Sequence, residues 1–313
     1  MLSRTADSLF WLSRLVERAE NTARLLDAAS RLSALPSHYG GETNEWESAL
    51  AAAGALTAFQ AHHDEATQAK VVNFLAFAED NPSSIRNCLH TARSNARAVR
   101  TALTFEMWEA INDAWLEMKR ISLRADSRSA LNDFVGFVKQ ASLRFDGCAY
   151  RTMLRNDAYF FSRLGVYLER ADATARLLDV KYHVLLPETE RIGGGLDYFQ
   201  WSSILRSVSA LTSYHWVYRE SLKPWLIAEF LILRQEMPRS FASCYANITA
   251  FLDDLSGQYG RQGSSQRRAR KTFARLKNSD MSEVFQHGLH EFVTDFIHEN
   301  NEVGNAITAQ YLV

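Results

Sequence analysis

The stretch ERAENTARLLD at residues 17–27 recurs as ERADATARLLD at residues 169–179, with nine of the eleven positions identical. In both copies apolar residues recur at three- and four-residue spacing, which is the pattern of an amphipathic α-helix. The same spacing runs through almost all of the 313 residues, and we find no convincing alternating strand. The sequence therefore predicts an all-α fold, a bundle of about ten to twelve helices.

Composition supports this fold class and excludes several functions. The chain has only 14 Gly and 5 Pro, the residues on which turn-rich β folds depend. Its net charge of −1 provides no overall field that would draw it to nucleic acid or to an anionic membrane. No apolar run approaches the ~20 residues of a membrane helix, and the N-terminus becomes charged too soon for a signal peptide. Three scattered cysteines without a CxxC pair fit reduced thiols, so we expect a cytoplasmic protein.

The repetition extends beyond the opening stretch. WESALAAAGAL at 46–56 aligns with WSSILRSVSAL at 201–211, and FLAFAEDNPSSIRNC at 74–88 aligns with FLILRQEMPRSFASC at 230–244. The three blocks keep their order, with offsets of 152, 155 and 156 residues.

We interpret this order as a tandem duplication. Residues 1–155 would form the first helical half and residues 156–313 the second, together making one compact domain. Each half is too long to be one unit of a solenoid. We therefore expect a pseudo-twofold arrangement in which the two repeated helices occupy equivalent positions and pack together.

On a helical wheel, each repeated helix presents a charged side. The first copy carries Arg14, Glu17, Glu20, Asn21, Arg24, Asp27 and Arg31, and the second carries Glu169, Asp172, Arg176, Asp179 and His183. We call these two charged sides the first and second stripes. The i,i+4 pairs within them stabilise an exposed helix by only about 0.2–0.5 kcal/mol each, which is too little to explain why the sequence is repeated. Two interpretations stay open: a solvated face with internal ion pairs, or a stripe that is buried or lines a cleft.

The second stripe has more carboxylates than cations, so burial would require counter-charges from elsewhere. One face of SIRNCLHTARSNARAVRTAL (84–103) offers four arginines: Arg86, Arg93, Arg97 and Arg100. They could be a solvated face, an anion-binding wall or the counter-charge for the second stripe, and we favour the third. Nucleic-acid binding is disfavoured because the patch is confined and lacks interleaved aromatic residues.

Other motifs are weaker. HHDE (62–65) and HGLHE (287–291) contain metal-ligating residue types, but neither has the order of a known zinc motif or a second ligand cluster, and we predict no metal and no cofactor. Asp179 and His183 are four residues apart and favour an ion-pair or capping role over proton relay. The chain has no nucleophile elbow, Walker loop or GxGxxG motif. Cys88 and Cys244 occupy aligned positions, which favours matched core packing over a nucleophile.

Five segments together resemble the bacterial alpha-E family. They are LSRTADSLFWLSRLVERAENTARLLD (2–27), ARSNARAVRTALTFEMWEAIN (92–112), LERADATARLLDVKYH (168–183), MPRS (237–240) and GLHEF (288–292). The family's Glu-Arg motif maps onto Glu17-Arg18 and Glu169-Arg170. The resemblance implies a cytoplasmic all-α protein whose gene often neighbours a circularly permuted ATP-grasp ligase, a transglutaminase-like cysteine peptidase and sometimes a proteasome-like peptidase. Such systems are predicted to make or modify peptides by amide-bond ligation.

Three functional hypotheses follow. The first is a non-catalytic helical subunit that holds substrate for an ATP-grasp ligase. The second is an enzyme of peptide amide chemistry, in which Glu17 or Glu169 acts as general base and Arg24, Arg176 or Arg97 grips a carboxylate. Arginines beside a glutamate lower its pKa, and this favours binding over proton transfer. The third is a purely structural α-protein.

Overall fold

The computed structural model describes residues 1–34, 44–121, 127–183 and 195–312, and it confirms the all-α prediction. These residues form fifteen α-helices and no strand. The first seven are α1 (Ser3–Leu32), α2 (Glu45–Ala52), α3 (Leu56–Gln60), α4 (Gln68–Ala76), α5 (Ile85–Ala98), α6 (Phe105–Met118) and α7 (Arg128–Thr152). The other eight are α8 (Asp157–His183), α9 (Gly195–Ser207), α10 (Leu211–Tyr218), α11 (Pro224–Ile232), α12 (Phe241–Tyr259), α13 (Ser264–Asn278), α14 (Met281–His287) and α15 (Leu289–Ile307).

The helix count exceeds the expected ten to twelve because short helices are split off at backbone breaks. Gly54 has a φ of 66° and separates α2 from the five-residue α3. Gly288 has a φ of 108° and separates α14 from α15. Both angles lie in the region that favours glycine, so each break has a local cause.

The long helices α1 and α8 lie side by side and run in the same direction through the centre of the molecule. Contacts between them follow the same order along both helices: Ser13 Oγ lies 2.8 Å from Ser162 Oγ, and further towards both C-termini Glu17 contacts Arg170. The backbones come so close that a Cβ on Gly165 would stand 2.2 Å from the carbonyl oxygen of Phe10. This close approach places the two charged stripes against one another.

The remaining long helices surround this pair. Helices α5 and α7 pack on α1, α12 and α15 pack on α8, and α2 and α9 each contact both central helices. The apolar sides of the pair are buried in one continuous core that includes Leu12, Leu26, Leu164 and Leu178. Within the described part of the chain, no helix has the length and apolar character needed to cross a membrane.

Several local features recur at aligned positions of the repeated blocks. Ser209 has a φ of 58° where its aligned partner Gly54 has 66°. Ser84 caps α5 by accepting a hydrogen bond from the Asn87 N–H, and Ser240 caps α12 in the same way from the Ser243 N–H. These recurrences agree with a duplication, but the duplication and the division at residue 155 remain predictions.

Candidate functional site

The two Glu-Arg dipeptides form crossed ion pairs between α1 and α8. Glu17 accepts hydrogen bonds from Arg170, at 3.0 Å from Nε and 2.8 Å from Nη2. Glu169 accepts from Arg18, at 2.6 Å from Nε and 3.0 Å from Nη2. Each glutamate is therefore held by the arginine that follows the other glutamate in sequence. Both pairs are bidentate, which is the strong and directional form of this interaction.

Two further arginines join the carboxylates. Arg239, in the turn before α12, donates to Glu17 Oε1 and Glu20 Oε1, both at 2.8 Å. Arg14 donates through Nε to Glu169 Oε2 at 2.9 Å. The sequence interpretation named Arg239 only as part of MPRS. The signal that could have found it is the alignment of MPRS with NPSS, where an arginine faces a serine.

The predicted i,i+4 pairs are also present. Arg24 Nε lies 2.7 Å from Glu20 Oε1, and Arg176 Nε lies 2.6 Å from Asp172 Oδ2. Arg24 also donates to the Ser207 carbonyl at the end of α9, at 2.8 Å. We call the whole group the ER cluster. It contains six arginines and four carboxylates: Arg14, Arg18, Arg24, Arg170, Arg176, Arg239, Glu17, Glu20, Glu169 and Asp172.

Both motif glutamates stay ionised in the folded protein. Glu17 and Glu169 are only 3% and 5% exposed. Burial raises the pKa of Glu17, but the charges and hydrogen bonds of Arg170 and Arg239 outweigh burial and lower that pKa from 4.5 to about 2. Burial likewise raises the pKa of Glu169, and Arg14 and Arg18 outweigh it, so the net shift is downward. Such weakly basic carboxylates are poor proton acceptors at neutral pH.

In the described part of the chain, Glu169 and Asp172 are paired with Arg14, Arg18 and Arg176 and not with the arginines of residues 84–103, so for these two carboxylates the predicted counter-charge is corrected. Glu169 takes its partners from α1, whereas Arg93 donates to Asn112 Oδ1 on α6 at 2.8 Å. Helix α5 packs on both α1 and α6. Arg93 and Arg100 stand over the Trp108 ring, Arg86 lies 3.5 Å from Glu79, and Arg97 is exposed. Their anion-binding alternative stays a prediction.

The histidine-containing candidates contribute one contact to the site region. His290 Nδ1 lies 2.5 Å from Asp179 Oδ1. At the matching place on α1, Lys139 donates to Asp27 Oδ2 at 2.8 Å. The side chains of His183 and His287 lie outside the described residues. Among the residues that are described, no group of three or more potential metal-ligating side chains occurs.

The two aligned cysteines, Cys88 and Cys244, are fully buried beside the ER cluster. Burial raises the pKa of each thiol to about 12, with only partial opposition from the neighbouring arginines. Both are therefore protonated at neutral pH and unsuited to nucleophilic attack. This result agrees with a packing role.

A cavity of about 250 Å³ opens beside the ER cluster, between the C-terminal parts of α1 and α8. Its polar lining is Arg18, Asn21, Thr22, Arg24, Asn81, Ser83, Glu169, Asp172, Thr174, Arg176 and Ser207. Its apolar wall includes the last residue of α2 with the turn after it, at 52–55, and Leu75.

Several polar groups around this cavity have hydrogen-bonding capacity to spare. Within the described residues, Arg18 Nη1 has a single acceptor, Ser83 Oγ, at 3.5 Å. The Nη atoms of Arg176 have no hydrogen-bond partner among the described residues, and that side chain is 34% exposed. Two buried atoms, Asn21 Nδ2 and Asp172 Oδ1, also lack a partner there.

Fold and site together define an all-α protein built around crossed, buried Glu–Arg pairs. The chain belongs to the Alpha-E family: the family model, described as a predicted alpha-helical domain with a conserved ER motif, matches residues 1–312. The crossed pairs involve both copies of Glu-Arg in this chain. In the same comparisons, no curated protein and no solved structure matched.

Proposed function

We propose that this protein is a non-catalytic subunit that holds a carboxylate-bearing substrate for a cytoplasmic, ATP-grasp-type system of peptide synthesis or modification. The observation that carries the proposal is the cavity beside the ER cluster, with the unused donors of Arg18 and Arg176 in its wall. Pockets of this kind, with a few convergent polar groups, are the usual place for a small ligand.

The charge of the ER cluster favours an anionic group in the cavity. Six arginines face four carboxylates, so the cluster carries an excess of positive charge. The guanidinium fork matches the two oxygens of a carboxylate. With a volume of about 250 Å³, the cavity is below the common range of about 300–1,000 Å³ for ligand pockets, which suits an amino acid or the end of a peptide.

Binding is better supported than catalysis. The enzymatic alternative needs Glu17 or Glu169 as a base, yet arginines hold both carboxylates ionised and occupy their oxygens. Most of the ER cluster therefore serves to hold α1 and α8 together and to position the side chains at the cavity. A purely structural role would leave the unused donors there without a purpose.

The ligase partner is supported by the resemblance to the alpha-E family. Formation of an amide bond consumes a carboxylate and an amine, so a protein that presents a carboxylate fits such a system. The transglutaminase-like and proteasome-like peptidases are further candidate partners on the same ground.

The test is reconstitution with an ATP-grasp ligase of the kind that the family resemblance implies. We expect ATP turnover with amino-acid or peptide substrates to depend on this protein. Arg176→Gln should lower the turnover per folded molecule about tenfold or more, because a charged hydrogen bond to the substrate is lost. Its melting temperature is measured beside the turnover, because Asp172 loses its arginine partner. Arg268→Gln is the matched control, since Arg268 pairs with Glu302 at the surface, at 2.8 Å. Turnover that is the same with and without the protein would refute the proposal.

A further inference from the structure

Arg239 fills one side of the ER cluster, whereas Ser83 leaves the corresponding place on the other side open. The aligned blocks 74–88 and 230–244 put Ser83 and Arg239 at matching positions. Each residue directly precedes the serine that caps the next helix, Ser84 or Ser240. Ser83 lines the cavity, so the cavity lies where an arginine side chain stands in the other half.

The residues of α8 that align with the contacts of Arg239 line the same cavity as Ser83. Arg239 donates to Glu17, Glu20 and the Asn21 carbonyl oxygen Oδ1, at 2.8, 2.8 and 3.2 Å. The aligned residues on α8 are Glu169, Asp172 and Ala173, and all three line the cavity. A cationic group in the cavity would therefore lie near Asp172 and Glu169, the counterparts of the two carboxylates that bind Arg239.

Asp172 is the carboxylate that needs such a partner. Its counterpart Glu20 accepts hydrogen bonds from Arg24, from Arg239 and from Ser142 Oγ, the last at 2.6 Å. Asp172 accepts from Arg176 alone, and its Oδ1 is buried without a partner among the described residues. Glu169 differs because Arg14 and Arg18 already occupy its oxygens. Asp172 itself lines the cavity.

We propose that the cavity binds the basic side chain of a ligand, with its guanidinium or ammonium group against Asp172 and Ser83 in the position that matches Arg239. The carboxylate of the same ligand pairs with Arg176 and Arg18. A C-terminal arginine or lysine of a peptide carries both groups. This inference rests on the proposed function and specifies the substrate class.

The ligand test compares two molecules of nearly the same shape by calorimetry on the full chain. N-acetyl-L-arginine carries a guanidinium and a carboxylate, and N-acetyl-L-citrulline replaces the guanidinium with an uncharged urea. We expect the citrulline derivative to bind about tenfold or more weakly, since it loses a charge-assisted hydrogen bond. Equal binding of the two would overturn the basic-ligand inference and leave the proposed function standing. The inference also fails if neither binds, and turnover of the ligase then decides the proposed function separately.

Variants locate the binding in the cavity. Ser83→Arg should fill the space with an internal guanidinium and abolish binding of N-acetyl-L-arginine, whereas Ser83→Ala keeps the space and should retain it. Asp172→Asn should reduce the preference for the arginine derivative over the citrulline derivative to about one. Unchanged binding by a folded Ser83→Arg protein, or an unchanged preference in Asp172→Asn, would refute the site. If Ser83→Arg does not fold, the Asp172→Asn comparison decides alone.

Discussion

At the residue scale, the decisive feature is a pair of buried carboxylates, each held by two arginines. Glu17 is held by Arg170 and Arg239, and Glu169 by Arg14 and Arg18. Removing charges from water is unfavourable, and only good geometry with several hydrogen bonds offsets it. These pairs therefore contribute to specificity of helix pairing, and loss of one partner leaves an uncompensated buried charge.

Glu169→Gln should destabilise the fold by about 3–5 kcal/mol, because it leaves Arg14 and Arg18 without their carboxylate. Urea denaturation measures this as a lower free energy of unfolding. Glu302→Gln is the matched control, since that carboxylate forms a surface pair with Arg268 and its loss should change stability by less than about 1 kcal/mol. Similar small effects for the two variants would mean that the buried pair does not hold α1 to α8.

Acid should unfold the protein through these carboxylates. The pKa of Glu17 is lowered from 4.5 to about 2 in the folded state, so its contribution is complete above pH about 4.5. It is lost as the pH falls from about 4.5 towards about 2, where the folded state also takes up the proton. Chemical denaturation between pH 6 and pH 2 should show this fall, and Glu17→Gln should show a shallower one. Parallel curves for the two proteins would contradict the shift.

Sequence reasoning located the charged residues of the ER cluster better than it located their partners. The repeat indicates Glu17-Arg18 and Glu169-Arg170, because nearly the same amphipathic sequence occurs twice. A helical wheel gives the side of a helix but not the element that packs on that side, and so it cannot show that Arg93 contacts Asn112 on α6. Arg239 lies in a turn without periodicity, and only the alignment with Ser83 points to it.

At the scale of elements, the site depends on the close approach of α1 and α8. Gly165 permits it, because any Cβ at this position would meet the backbone carbonyl of Phe10. The helix types were predictable from apolar periodicity. The repeat predicts that these two helices pack together, but it does not give their parallel direction. The extra short helices depend on local backbone angles at Gly54 and Gly288 that periodicity does not reveal.

Gly165→Ala should destabilise the protein by about 1–3 kcal/mol or more, because the new methyl group forces the helices apart. Gly147→Ala in α7 should have the opposite sign, a gain of up to about 1 kcal/mol, since nothing lies within 4 Å of that position and alanine favours a helix. Thermal unfolding of both variants measures the difference. A stabilising Gly165→Ala would show that the helices are not in close contact there.

At the scale of the whole molecule, each predicted half supplies an arginine that pairs with the motif glutamate of the other half. Glu17 in residues 1–155 is paired with Arg170, and Glu169 in residues 156–313 is paired with Arg18. The large α1–α8 contact also joins the two segments. Because these ion pairs and helix contacts join the two halves, we expect one cooperative domain, even though the sequence can be divided into two similar segments.

Fragments 1–155 and 156–313 should each fail to unfold cooperatively when purified alone. The first contains α1 without α8, and the second contains α8 without α1, so each central helix lacks the partner that buries it. Mixing them should restore helical content and a cooperative transition, which circular dichroism during heating would detect. The full chain measured in the same way is the control. A sharp transition in either isolated fragment, close to that of the full chain, would contradict a single cooperative unit.

The crossed pairs join residues that are 151 and 153 positions apart in the chain. A ribosome adds about 5–20 residues per second. Glu17 in α1 is therefore synthesised on the order of ten seconds before its partner Arg170. During that interval the nascent N-terminal segment exposes both its apolar side and its unpaired charges. Translation order therefore makes this segment, rather than the later half, the part that benefits from a chaperone at the exit tunnel.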